Sequence, residues 1–306
     1  MKLAFSTCWN SRRHKNGSEM ISEIINLGFR HIELSHGLRV SHLDGILAAR
    51  KTEDFEISSV HNFLPMPVEI MTDAPDCYEF TSHRKQDRER AVRLTRQTID
   101  WAARLGAPFV VVHCGQIRSL RLTQPLRTLI MSNQLLTAAY GKKKLAAVRA
   151  REAHAQTYIS RALECLADVV DYAGTKGVKI GIENRDYYEA IPSEREIPSF
   201  LRQLDSAHVG YWHDFGHAHV KEHLGLLDHK QWLARSGHLV IGAHLHDVKW
   251  PARDHCLPFS GDIPYKNLLS FLPSNCPVVL ELSPKILKED IQSMHEQWKK
   301  TFPQCV

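Results

Sequence analysis

The chain has 306 residues, 43% hydrophobic and 24% charged, a composition that supplies a substantial core and excludes extensive disorder. Its formal charge of +5 permits attraction to anionic small molecules such as sugar phosphates, but so modest an excess over this length does not by itself indicate nucleic acid. Seven cysteines, never spaced as C-x-x-C, argue against a disulfide framework and for a reducing, cytoplasmic setting, while no apolar run is long enough to span a bilayer and the N-terminal MKLAFSTCWNSRRHK turns polar too early for an export signal.

Taken in chain order, candidate strands are LAFSTC (3–8), HIELS (31–35), ISSVHNF (57–63), FVVVHCG (109–115), KIGIEN (179–184), VGYWHDF (209–215), GAHLHDV (242–248) and PVVLELS (277–283). Amphipathic helical stretches lie between them. The spacing predicts helices over 18–27, ending at Gly28, over 86–105, stopped by Gly106, and over 159–173, followed by Gly174 and Gly177. Residues 116–158 are too long for a simple crossover and are rich in helix formers, so they read as a helical insertion after the fourth strand. Arg118, Arg121, Arg127, Lys142, Lys143, Lys144, Arg149 and Arg151 concentrate positive charge there, as solvated helix faces or subunit contacts, or as a lid over an anionic substrate. Eight alternating β and α units with continuous apolar strands predict an α/β protein, a closed (β/α)8 barrel forming one domain over 1–306; no G-x-G-x-x-G follows the first strand to favour an open doubly wound sheet.

Polar residues stand where these strands meet their loops. Glu183, Asp214, His244 and Glu281 end the last four strands, and in a barrel strand C-termini converge on one side. Carboxylates and one imidazole suit a single divalent cation, Mn²⁺, Mg²⁺, Co²⁺ or Zn²⁺, with positions left for a substrate. Asp214 could instead serve only as a helix N-cap. His217 falls at the start of the next helix, His61 and His113 end the third and fourth strands, and His255 lies in the loop after the seventh, all on the same rim. His244 and His246 share a face by the two-residue alternation of a strand, and His246 could orient its neighbour. The run His219, His223, His229 reads as exposed helix.

Through IELSHG, SSVHNF, VVVHCG, GIENR, GYWHDFGHAH, AHLHDV, DHCLPFSGDI and VLELSP, nearly the whole chain resembles the xylose isomerase-like TIM barrels, which include sugar phosphate isomerases and epimerases, ketose 3-epimerases, inosose dehydratases and the endonuclease IV group. The resemblance implies that Glu183, Asp214, His244 and Glu281 are the ligands of a mononuclear site, that Glu183 and Glu281 are also the acid/base pair, and that His217 contacts the substrate. It implies carbohydrate chemistry: proton abstraction next to a carbonyl through a metal-stabilised enediolate, on a sugar or cyclitol, phosphorylated or not. His61, His113 and His255 would line the substrate pocket, and Arg185, Lys249 and Arg253, just beyond strand ends, could grip a phosphate or carboxylate. The class admits a homo-oligomer.

Three alternatives remain open at this point. An inosose-type dehydratase or lyase shares the first step. An endonuclease IV-like zinc phosphodiesterase acting on abasic DNA would use His61, His113, His217 and His255 for further zinc ions, but its pattern places an Asp two residues before the last histidine, where this chain has Arg253. A barrel that binds metal without catalysis is the third.

Overall fold

All eight predicted barrel strands form, as β1 (Lys2–Ser6), β2 (His31–Leu34), β3 (Glu56–His61), β4 (Phe109–Val112), β5 (Lys179–Glu183), β6 (Val209–Asp214), β7 (Val240–Leu245) and β10 (Pro277–Leu280); between the last two a short hairpin pairs β8 (Asp247–Lys249) with β9 (Arg253–Cys256). The computed structural model describes residues 1–305, and in it the eight parallel strands close in the order β1-β10-β7-β6-β5-β4-β3-β2. Around them run α1 (Gly17–Asn26), α2 (Val40–Thr52), α3 (Lys85–Leu105), α4 (Thr123–Met131), α5 (Ala138–Thr175), α6 (Ile197–Leu204), α7 (Phe215–His223), α8 (His229–Ser236), α9 (Tyr265–Leu268) and α10 (Lys288–Thr301).

Alternation along the strands sorts side chains into the helix-facing shell and the barrel interior. Inside, Ala4, Val111, Trp212 and Val279 form a fully buried floor. Trp212 fills space that two neighbouring strands leave by carrying glycine: a Cβ at Gly181 would stand 2.8 Å from the indole and one at Gly242 only 2.0 Å from it. Truncating an indole packed this way costs about 3–5 kcal/mol. Two residues further along β5, β6 and β7 the interior turns polar with Glu183, Asp214 and His244, joined by His61 at the end of β3.

The predicted boundary between an insertion and a following helix does not exist. Residues 138–175 form one 38-residue helix, α5, whose Thr137 cap accepts from the Tyr140 N–H. Between Lys142 and Ala173 the sequence holds no glycine or proline to end it, and its alanines favour continuation. The basic residues expected on the insertion are in part tied down: Arg118 pairs with Glu79 at 2.8 Å, Arg127 with Asp186 at 2.6 Å, and Arg151 with both Glu196 oxygens at 2.6 and 2.8 Å.

Candidate metal centre at the barrel mouth

Glu183, Asp214, His244 and Glu281 come from β5, β6, β7 and the end of β10, and all four are buried. Their donor atoms lie within 4.8 Å of one another. His244 Nδ1 stands 3.4 Å from Glu183 Oε1, 3.5 Å from Glu281 Oε2 and 3.9 Å from Asp214 Oδ2. Donors sharing one cation at bond lengths of ~2.0–2.1 Å are separated by about 3 to 3.5 Å, so the first two edges fit a common ion and the third needs a small movement of Asp214. Glu183 Oε1 and His244 Nδ1 are buried and have no hydrogen-bond partner. Buried polar atoms are ordinarily satisfied, and a carboxylate oxygen and an imidazole nitrogen left facing each other are what a divalent cation, displacing the ring's Nδ1 proton, would fill.

The electrostatics keep both glutamates ionised. Burial alone would raise the Glu183 carboxyl, but His113 and His244 hold it well below the usual range. Glu281 is likewise lowered against burial by His244 and His255.

A second layer fixes the donors. The Nε2–H of His244 donates to Glu33 Oε2 at 3.0 Å, and Ser59 Oγ donates to the same oxygen at 2.8 Å. Asn184 Nδ2 donates to the Asp214 carbonyl at 3.0 Å, while its Oδ1 accepts from the Asp214 N–H at 2.8 Å and the Tyr211 hydroxyl at 2.9 Å. With its proton on Asn184, Tyr211 accepts from His213 Nδ1 at 2.7 Å, and His213 Nε2 then accepts from His229 Nε2 at 2.9 Å. Asp214 does cap α7, accepting the His217 N–H at 2.7 Å through Oδ1, and Oδ2 still faces the cluster. His246 orients Asp214: its Nδ1 accepts the His255 N–H at 2.8 Å, so its Nε2–H points at the Asp214 carboxylate, 3.1 and 3.2 Å away.

The remaining rim residues fall on two sides. On one, His61 Nε2 and His113 Nε2 approach Glu183 Oε2 at 3.2 and 2.9 Å, with Asp76 behind His113 at 2.7 Å. Arg185 is built into this side, its Nη1 2.8 Å from His113 Nε2 and 3.6 Å from Glu183 Oε1. On the other, His217, His246 and His255 gather, with His255 stacked on His246 at a centroid distance of 4.2 Å and reaching to 3.7 Å from Glu281 Oε2. Lys249 and Arg253 are exposed on the β8–β9 hairpin, and no contact ties them to the cluster.

Sequence reasoning missed Glu33, Asp76 and Asn184. An acidic residue inside the apolar run HIELS was the available signal for Glu33, and the Asn of GIENR for Asn184; Asp76 lies in a loop without a pattern. The expectation of an exposed helix at 219–229 is corrected, because His219 and His229 are 5% and 1% exposed, packed where α7 meets α8.

The chain belongs to the xylose isomerase-like TIM barrels, whose family model matches residues 21–297. Among solved structures it is similar to a D-tagatose 3-epimerase-like protein, at 18% identity and a TM-score of 0.69 over 99% of this chain and 97% of that one. It is also similar to the 3-keto-D-glucoside 4-epimerase YcjR from E. coli in its apo form, at 14% identity and a TM-score of 0.70 over 98% and 99% of the two chains. The IOLI protein with a binding zinc atom aligns at 14% identity and a TM-score of 0.68 over 99% and 98%. No curated protein sequence matches the chain. At these identities the structural likeness carries the fold, and the chemistry rests on the residues.

Proposed function

We propose that the protein is a divalent-metal-dependent isomerase or epimerase of sugars or cyclitols, phosphorylated or free, that moves a proton on the carbon next to a carbonyl. One observation carries this reading: Glu183 and Glu281, from strands separated by β6 and β7, both aim a carboxylate oxygen at His244 Nδ1 from within 3.5 Å. A cation held by Glu183, Asp214, His244 and Glu281 would polarise the carbonyl and stabilise the enediolate charge. One glutamate takes the proton and the other returns it, and both are ionised by their histidine neighbours. His217, with Nδ1 2.9 Å from the Asn184 carbonyl, and His61, with Nδ1 3.0 Å from the Asn62 carbonyl, are held in fixed orientation to meet substrate hydroxyls. Arg185 presents positive charge on the same rim, where a phosphate or carboxylate would bind. The similar structures include epimerases of ketoses and of a keto-glucoside, which supports this substrate class.

The test is exchange. A panel of ketoses, inososes and their phosphates is incubated with enzyme and Mn²⁺, Co²⁺, Mg²⁺ or Zn²⁺ in deuterated water. Deuterium should enter next to the carbonyl of at least one substrate, and Glu183→Gln and Glu281→Gln should each abolish it. Full exchange in either variant removes that residue from the pair, and no exchange with any substrate and cation sinks the reading.

The two flanking groups, His61 with His113 and Glu183, and His217 with His246 and His255, favour a second reading, a multi-zinc phosphodiesterase on abasic DNA. Two details weigh against it. Arg185 already supplies the positive charge beside His113, and both nitrogens of His246 are engaged by protein atoms. Nicking of abasic duplex DNA by the zinc-loaded protein would revive it.

A further inference from the structure

We propose that the protein holds a second divalent cation, of zinc type, away from the barrel mouth, bound by His219 Nδ1, Glu222 Oε2 and His229 Nδ1 where α7 meets α8. The donor atoms of these three residues lie within 4.8 Å of one another, and His219 Nδ1 is 2.9 Å from Glu222 Oε2. Two independent features point to a ligand. His219 is 5% exposed, its Nε2 has no hydrogen-bond partner and its Nδ1 has only the Glu222 carboxylate beside it; His229 is 1% exposed and its Nδ1 is without a partner. Buried nitrogens left unsatisfied in this way are destabilising unless something binds them.

The hydrogen-bond chain from Asn184 through Tyr211 and His213 settles what these atoms offer. Each link passes one proton toward Asn184, so His229 carries its proton on Nε2, where it meets His213, and is left with the buried, unpartnered Nδ1 lone pair as its donor. Glu222 is held by the protein as ligands of built metal sites are: its Oε1 accepts the backbone N–H of His229 at 3.0 Å, which leaves Oε2 to the site. Glu222 is partly exposed, which gives the ion an entry path and room for water as a fourth ligand. Two imidazole nitrogens and one carboxylate oxygen are a donor set suited to Zn²⁺. Bound there, the ion would fasten α7, which carries His217, to α8.

The full chain is loaded with Zn²⁺, desalted and assayed for zinc per chain, alongside Glu222→Gln, His219→Asn, His223→Ala, Asp262→Asn and Asp214→Ala. Glu222→Gln and His219→Asn should each carry one ion fewer than the parent, while His223→Ala and Asp262→Asn match it. Asp214→Ala reports the mouth site separately, and its double variant with Glu222→Gln should lose two ions. Unchanged zinc in Glu222→Gln and His219→Asn overturns the proposal. Loss in His223→Ala and Asp262→Asn with retention in Glu222→Gln also overturns it, placing the ion on the outer face of α7. Glu222→Gln keeps the side-chain shape, so its zinc content reads the ligand rather than the fold.

Discussion

Glu33 and His244 hydrogen-bond across the barrel from β2 to β7, Oε2 accepting from Nε2 at 3.0 Å. The bond leaves Nδ1 of His244 facing Glu183 and Glu281, and the carboxylate behind the ring makes that nitrogen a stronger donor to a cation. Glu33→Gln should therefore weaken cation binding at the mouth by about 10-fold or more while leaving the circular dichroism unchanged. Competition against a chromophoric chelator measures it, and an unaltered affinity would show that Glu33 only fills space.

Arg185 stands where a second cation would compete for His113 and Glu183. Its removal by Arg185→Ala should let His61, His113 and Glu183 take up one more Zn²⁺ per chain than the parent. Elemental analysis decides; identical zinc content means that the guanidinium does not exclude an ion from this side.

Tyr211 links Asn184 to His213 by hydrogen bonds of 2.9 and 2.7 Å inside a fully buried shell. Tyr211→Phe leaves His213 and the Trp232 N–H without their acceptor, so stability should fall by roughly 1–3 kcal/mol. Denaturant unfolding reads the loss, and a neutral result would mean that the chain does not constrain Asp214.

Arg151 on α5 binds Glu196 with two hydrogen bonds and also donates to the carbonyls of Tyr188 and Ala190 at 2.7 Å. Its replacement in Arg151→Ala strands these acceptors and should cost about 3–5 kcal/mol. Burial would raise the Glu196 carboxyl, but Arg151 holds it below its ordinary value. A depressed native pKa stabilises above the unfolded value of ~4.3 and is lost as pH falls through the native one. The stability gap between parent and Glu196→Gln should thus be full at neutral pH and shrink below about pH 4; a gap that persists in acid would assign the effect to shape rather than charge.

The eight strands were readable because a parallel sheet covered by helices demands continuous apolar runs, and Glu183, Asp214, His244 and Glu281 stood out at their ends. Glu33 was hidden because its partner is 211 residues away and meets it only through closure of the barrel. The unity of α5 was missed because nothing in the letters marks where an insertion joins a barrel helix; the missing glycine or proline was itself the signal. The burial of His219 and His229 depends on α8 packing against α7, which helical spacing alone cannot reveal.

The floor beneath the cluster gives it an optical readout. The Trp212 indole meets the His244 ring edge-on, with centroids 5.5 Å apart, and is sealed from solvent by neighbours that include Ala4, Val111 and Val279. An open-shell ion such as Mn²⁺ or Co²⁺ seated on His244 would lie within quenching range of that fluorophore, whereas Zn²⁺ or Mg²⁺ would leave it bright. Occupancy and exchange of the ion could then be followed in a fluorimeter before any substrate is in hand, with Trp212→Phe, which keeps the other five tryptophans, as the control that should lose the response.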